Sequence, residues 1–434
     1  MIWNGEAYSY EWLLSAIKDW DNVLKKDNII GKKVVAVESD YSPHAISLFL
    51  SLMKNKMIIA PINPKMPQSE KRKRIAVAEV EVIIRFINGE SYVVEFTSCN
   101  VAHPLIKGLA GRSGLVLFSS GSTGEPKAMI HDLDEFSRTY KDRKLRSLKT
   151  LVFLMFDHIG GINTIFNIFS SCATAVLPIN RDPEEICKLI EEYRIHVLPT
   201  SPTFLNLIMI SGAYKRHDLS SLRLIAYGTE PMPKALLDRL KEAFPKSRLL
   251  QTFGTSETGI IKTRSRSKES LCMKFDDKNF EYKLVNGELW IKSRTRILGY
   301  LNQKDPFTPN GWFPTGDLVK KTEDGYIQIV GRKEEIINVG GQKVMPAEVE
   351  SALLQMNEIK DVLVYGEPNP IIGQAVVAKV VLGDVSGGDY NKLVKKIKRH
   401  CGMRLQAYKV PVKIFKVDSL DYGIRFKKKK QIVV

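Results

Sequence analysis

The 434-residue chain predicts an α/β fold: a large N-terminal domain of mostly parallel sheets with helices and a small β-rich part, then a small α+β C-terminal domain. Three observations carry this expectation. Short apolar runs alternate with helical patterns through the first two-thirds of the chain, as in sheets covered by helices. After about Gly259 the pattern shortens to closely spaced strands, and Asp324-Gly325 gives a strong hairpin signal. From Pro346 a helix leads into a strand–helix–strand pattern of roughly a hundred residues, the size of a small domain.

The elements follow in order. Residues 33–37 read as a strand. Ser42-Pro43 supplies an N-cap followed by proline at the first helical position, and the helix runs on through Phe49 and Met53. Residues 57–60 form the next strand, and Pro61 and Pro64 mark the turn after it. Further strands are predicted at 82–85, 114–118, 150–155, 173–177, 197–199, 223–227 and 248–251, with helices at 183–193 and 234–243 among them. Beyond Gly259 come strands at 288–291, 312–314 and 326–330, a helix at 347–354, and a last strand ending near Val417. A boundary near 332–335 divides the chain into domains 1–333 and 334–434.

Bulk properties narrow the function classes. An apolar content of 44% suits a globular protein with a sizeable core. The first residues lack the pattern of a secretory signal, and the apolar stretch 45–53 is too short to span a membrane. Five cysteines without a C-x-x-C pair argue against zinc or a disulfide framework and fit a reducing cytoplasm. The net charge of +17 could serve nucleic acid, an anionic membrane or anionic ligands. Its clusters (71–74, 395–399, 427–430) lack interleaved aromatics, so nucleic acid is not expected and solvated basic faces are.

Residues 115–127 read L-V-L-F-S-S-G-S-T-G-E-P-K. A strand runs into a loop of small hydroxylated residues and glycines, closed by lysine. Gly121 and Gly124 allow sharp turns that turn N–H groups toward an anion; Ser119, Ser120, Ser122 and Thr123 add donors; Lys127 adds a point charge. Ala128 after the lysine and the glycine spacing exclude a Walker A loop.

With the segments downstream, the chain resembles the adenylate-forming superfamily of acyl-CoA synthetases, peptide-synthetase adenylation domains and luciferases. The loop is followed in the family's order by Gly228-Thr229-Glu230-Pro231, then by Gln251-Thr252-Phe253-Gly254-Thr255-Ser256-Glu257-Thr258-Gly259. Next come Gly287-Glu288-Leu289-Trp290-Ile291, Gly299-Tyr300, and Gly311-Trp312-Phe313-Pro314-Thr315-Gly316-Asp317. Gly331-Arg332-Lys333-Glu334-Glu335 through Gly340-Gly341 and Pro346-Ala347-Glu348-Val349-Glu350 complete the set, over about 115–350.

The resemblance implies stacked sheets, a mobile C-terminal domain, and a two-step reaction. A carboxylate attacks the α-phosphorus of ATP to give an acyl-adenylate and pyrophosphate. A thiol, of CoA or carrier-protein pantetheine, then expels AMP. The alternatives are a stand-alone adenylation enzyme serving a carrier protein or an amine, and a degenerate nucleotide-binding relative. Neutralising charge calls for cations, a metal and oriented N–H groups. By resemblance Glu257 binds Mg²⁺, for which carboxylate oxygen suits a hard cation. Ser256 replaces the usual threonine and keeps a hydroxyl. Thr252, Phe253 and Gly254 lie against the nucleotide, with Phe253 able to stack on adenine though it lacks the usual tyrosine hydroxyl. Gly228, Thr229 and Glu230 line the adenine pocket largely through backbone. Asp317 accepts from the ribose hydroxyls beside Arg332, or the two form an ion pair at the domain join. Glu334 falls at the hinge, and Gly340-Gly341 at the pantetheine tunnel. His158 lines the acyl pocket; Asp157 receives no role.

Matching Leu420 to the family's leucine places Lys427 at the lysine that bridges carboxylate and phosphate. Phe426 then stands where glycine is expected, and the run 427–430 has a solvated basic tail as its alternative reading. Relatives carry longer N-terminal regions, so the acyl pocket is expected to be more open or to need a partner.

Overall fold

The computed structural model describes residues 1–31, 33–120, 125–267, 270–383, 390–423 and 425–429. Two seven-stranded sheets form the larger part. One contains the parallel strands Arg248–Gln251, Leu224–Tyr227, Val197–Thr200, Lys149–Leu151 and Thr174–Leu177, and ends in a small N-terminal hairpin. The other has Ile58–Ile62, Val34–Glu38 and Val82–Ile87 in parallel at its centre and antiparallel strands at both edges. Their inner faces share a single apolar core, with Val37, Ile59 and Leu117 from one sheet and Val152 and Leu177 from the level of the other. The helices Pro43–Lys54 and Ile159–Ser170 are buried in it.

Local chemistry fixes these elements. Ser42 Oγ accepts from Ala45 N–H at 3.1 Å and donates to the Gly89 carbonyl at 2.6 Å, so the cap also pins its helix to a neighbouring turn. Such a cap contributes about 1 kcal/mol. The helices Pro183–Tyr193 and Lys234–Ala243 occupy the predicted spans. The predicted strand at 150–155 pairs only over Lys149–Leu151, and the chain then leaves the sheet toward Asp157 and His158. The strand expected at 312–314 begins at Phe313 and continues to Lys321, because its alternating side chains cover a third, six-stranded antiparallel sheet.

A 3₁₀ turn, Lys333–Glu335, follows the last strand of that sheet. Beyond it a five-stranded sheet packs against Pro346–Leu353 and Tyr390–Gly402 around its own core of Ile337, Val349, Leu353, Val364, Val380 and Ile397.

One expectation is corrected. The basic cluster at 71–74 is not a solvated face. In the helix Gln68–Val77, Lys71 and Arg74 are three residues apart and so share the inner side. Lys71 Nζ lies 2.6 Å from Glu38, and Arg74 reaches Glu70 at 2.6 Å with its guanidinium 5.1 Å from the Phe118 ring centre. Arg72 and Lys73 are exposed.

Candidate active site

A cleft of about 1750 Å³ is walled by both sheets and by the C-terminal unit. Antiparallel pairing of Gly114–Ser120 with Pro126–Asp132 sets Ser119 opposite Lys127, and both residues line the cleft. The turn between those strands, with Gly121, Ser122, Thr123 and Gly124, lies outside the described residues, as does the Ser120 side chain. Tyr300 pairs with Met129 on the next strand, which brings its ring to 5.9 Å from Lys127 Nζ. The Tyr300 hydroxyl donates to Glu257 Oε1 at 2.9 Å. Burial and the Glu257 charge push that phenol's pKa up, so it remains a donor.

Glu257 and Ser256 sit at the tip of a hairpin, Phe253–Thr255 with Gly259–Ile261, whose turn is clamped by the Thr255 and Thr258 hydroxyls 3.0 Å apart. Among the described residues no cluster of three or more His, Cys, Asp or Glu could hold a metal. The Glu257 carboxylate, in the cleft with Ser119 and Lys127, does fit Mg²⁺, which is commonly held by one or two carboxylates plus substrate phosphates.

Parallel register sets Tyr227 beside Gln251, so the turns after the two strands meet. Thr252 donates to the Tyr227 carbonyl from both N–H and Oγ1, at 2.7 and 3.1 Å. Gly228 packs directly on Thr252, and a Cβ there would overlap Oγ1. Thr229 takes a left-handed φ of 73°. Glu230 contributes more than backbone: its carboxylate accepts from Thr203 N–H at 2.7 Å, at the start of the helix Pro202–Ser211, and burial raises its pKa. Phe253 lines the cleft from a core position, 7% exposed and 5.6 Å from Phe275. Gly254 lies along the cleft in the same strand.

Asp317 and Arg332 face each other across paired strands, and Arg332 Nε lies 3.0 Å from Asp317 Oδ1. Arg332 also donates to the Thr315 carbonyl at 2.7 Å. The ion pair considered from sequence is therefore present, and both residues also line the cleft. Burial pushes the Asp317 pKa up to about 6 against the pull of Arg332.

His158 is the N-cap of Ile159–Ser170, its Nδ1 accepting from Gly160 N–H at 3.0 Å. A Cβ on Gly161 would run into the Met155 carbonyl, which accounts for the small residues after the histidine. Burial, then Arg425 and Lys427, depress its pKa to about 3, so the ring is neutral. It lines the cleft, in a capping role that sequence did not reveal.

The lysine-rich tail enters the same cleft. Lys427 stands in it, reached by water yet ringed by protein, and burial lowers its pKa with Arg332 and Arg425 while Glu230 and Asp317 raise it. Lys428 also borders the cleft, but its ammonium lies 2.8 Å from buried Asp361 of the C-terminal unit, which also accepts from the Tyr422 hydroxyl at 2.5 Å. Burial opposes the Lys428 charge, but Asp361 and Glu350 overcome it and its pKa is raised. The solvated-tail expectation thus fails for Lys428. Sequence missed Arg425 altogether. Its Nη2 reaches Asp157 Oδ2, the Asp157 carbonyl and the Phe118 carbonyl at 2.9, 3.1 and 3.2 Å. No local pattern marks a contact between residues so distant in the chain.

Comparison with known proteins fits this arrangement. Residues 114–301 match the model of the AMP-binding enzyme family, and 348–424 the model of the AMP-binding enzyme C-terminal domain. The 4-coumarate–CoA ligase-like 6 of Oryza sativa subsp. japonica is 27% identical over 77% of this chain and 67% of its own length. Triostin synthetase I of Streptomyces triostinicus is 29% identical over 70% of this chain and 62% of its own. The chain thus spans about two thirds of these relatives, whereas for the indoleacetate–CoA ligase of Aromatoleum aromaticum (24% identical) the shares are 95% and 90%. Among solved structures, an anthranilate CoA ligase in complex with anthranoyl-AMP superposes with a TM-score of 0.83 at 21% identity, over 98% of this chain and 91% of that one. The o-succinylbenzoate CoA synthetase of Bacillus subtilis with its acyl-adenylate gives 0.79 at 20%, over 99% and 93%. The matched family models, the ordered motifs and the shared fold establish that the chain belongs to the adenylate-forming, AMP-binding enzyme superfamily.

Proposed function

We propose that this protein is an AMP-forming acid–thiol ligase. It activates a carboxylic acid with ATP and passes the acyl group to a thiol, of CoA or of carrier-protein pantetheine. One observation carries the reading: Lys427 of the tail meets Lys127, Glu257, Asp317 and Arg332 around one cleft. A carboxylate oxygen attacks the α-phosphorus, the bond to the β-phosphate breaks, and pyrophosphate leaves. The thiol sulfur then attacks the acyl carbon and AMP departs.

In the first step two anions must meet, so cations have to offset their repulsion. Lys127 and the hairpin turn hold the β- and γ-phosphates. Lys427, its charge held near Glu230 and Asp317, bridges the carboxylate and the α-phosphate. Asp317 accepts from the ribose hydroxyls, with Arg332 keeping it in place. The turn 228–230 and Phe253 line the adenine site. Glu257 would hold Mg²⁺, which neutralises phosphate charge when bound. His158, neutral, lines the acyl end of the cleft without taking up a second proton. The join lies at 333/334, with Glu334 on the turn where the domains rotate between the two steps. The five free thiols fit a reducing cytoplasm.

The test is carboxylate-dependent ATP–pyrophosphate exchange over fatty, aryl and amino acids, followed by added CoA and then a carrier protein. Exchange with thioester formation on CoA supports the ligase. Exchange that yields product only with a carrier protein or an amine supports a stand-alone adenylation enzyme. Failure of every acid to support exchange overturns both. Glu257→Ala should raise the Mg²⁺ concentration needed for half-maximal exchange, and an unchanged Mg²⁺ titration removes it as a ligand.

A further inference from the structure

Asp157 is 3% exposed and its Oδ1 has no hydrogen-bond partner. Two cations face its other oxygen: Arg425 at 2.9 Å, from the tail, and Arg74 at 3.8 Å, from the larger part. Neither Nε nor Nη1 of Arg74 makes a hydrogen bond. The next residue of the tail, Phe426, enters an aromatic socket with ring centres 5.4 Å from Phe153 and 5.1 Å from Phe204. It does so with φ of 53°. For a residue with a side chain that conformation costs roughly 1–2 kcal/mol, while aromatic pairs return about 0.5–1.5 kcal/mol each beyond area burial. The contacts are what hold the strained backbone there.

We propose that Arg425 is a positioning residue, clipped by Asp157 and the Phe118 carbonyl and seconded by Phe426, that places Lys427 for the first step. The inference rests on the role given to Lys427 above. Phe118 directly precedes the phosphate hairpin's Ser119, and Asp157 directly precedes His158. One nitrogen of Arg425 therefore ties the tail to two walls of the cleft two residues from the lysine. Arg74 explains how the clip can open. A buried carboxylate that loses its only partner is strongly destabilising. When the tail withdraws, Asp157 keeps Arg74, whose spare N–H groups need only close a gap of 3.8 Å. The clip is therefore reversible, as two-step chemistry by one moving domain requires.

Hydrogen exchange of the tail peptide 419–429 in the full chain, without nucleotide or acid, tests the clip directly. Arg425→Ala should speed tail exchange by roughly tenfold or more. Asp157→Asn should do the same. Arg425→Lys should keep most of the protection, because all three contacts come from a single nitrogen. Equal exchange in wild type and Arg425→Ala overturns the proposal, as does Arg425→Lys behaving like the alanine variant. Global exchange elsewhere in the chain reports whether Asp157→Asn has simply failed to fold, and Arg425→Ala then decides alone. No acid is needed, so failure of the acid panel counts against the proposed reaction and loss of this effect against the clip.

Discussion

Two acidic residues, Asp317 lining the cleft and Asp157 buried next to it, each hold an arginine, and they hold it in different ways. Asp317 and Arg332 are directly opposite on neighbouring strands, so sheet register keeps them together whatever the C-terminal unit does. Asp157 and Arg425 are joined only through side chains and carbonyls, across 268 positions of sequence. The first pair is a fixed wall. The second is a removable fastening, with Arg74 standing by for when it opens. In the proposed reaction, nucleotide binding and placement of the tail lysine would rest on these two constructions, and each can be broken without the other.

Breaking the fastening should give the larger effect. Arg425→Ala should lower acid-dependent pyrophosphate exchange by roughly a hundredfold, the cost of misplacing Lys427 by about an ångström. Thioester formation from supplied acyl-adenylate should be nearly unchanged, and an equal fall in both would mean general damage to the fold. The wall should respond to pH. With the Asp317 pKa at about 6, lowering the pH from 7.5 to 5 protonates most of the carboxylate, and AMP affinity should fall by about tenfold. Asp317→Asn should bind AMP weakly and without that dependence in calorimetric titration. The stability linkage has the opposite sense: the folded form holds this proton more tightly than the unfolded value of 3.8, so its contribution is full below that value and is lost as pH rises through 6. His158, already neutral, should add nothing to either profile above pH 5. The smallest effect belongs to Phe426→Gly. It relaxes the left-handed backbone and loses two ring contacts, so exchange should fall only a few-fold. A rise would show that the socket hinders the first step.

The same contrast separates what was legible in the sequence from what was not. Motifs whose residues act together because the chain turns locally could be read directly. Ser119 and Lys127 on paired strands, the turn at 228–230, the tip carrying Ser256 and Glu257, and the facing strands of Asp317 and Arg332 all reach one cleft. The fold class was legible for the same reason, since periodicity is local. What sequence hid was tertiary. Lys71 and Arg74 look like surface charge until Glu38, Glu70 and Phe118 close over them. His158 reads as pocket lining and proves also to cap a helix. Asp157 stayed without a role because its partner lies in the tail. Successive lysines are identical as letters, and only packing pairs Lys428 with Asp361 and sets Lys427 near Glu230 and Asp317.

The most direct test of the account is to measure the two half-reactions side by side in Lys427→Ala. Acid-dependent ATP–pyrophosphate exchange should disappear while thioester formation from supplied acyl-adenylate stays close to wild type. Exchange at the wild-type rate in that variant would contradict the assignment of Lys427 and, with it, the purpose of the fastening that holds it.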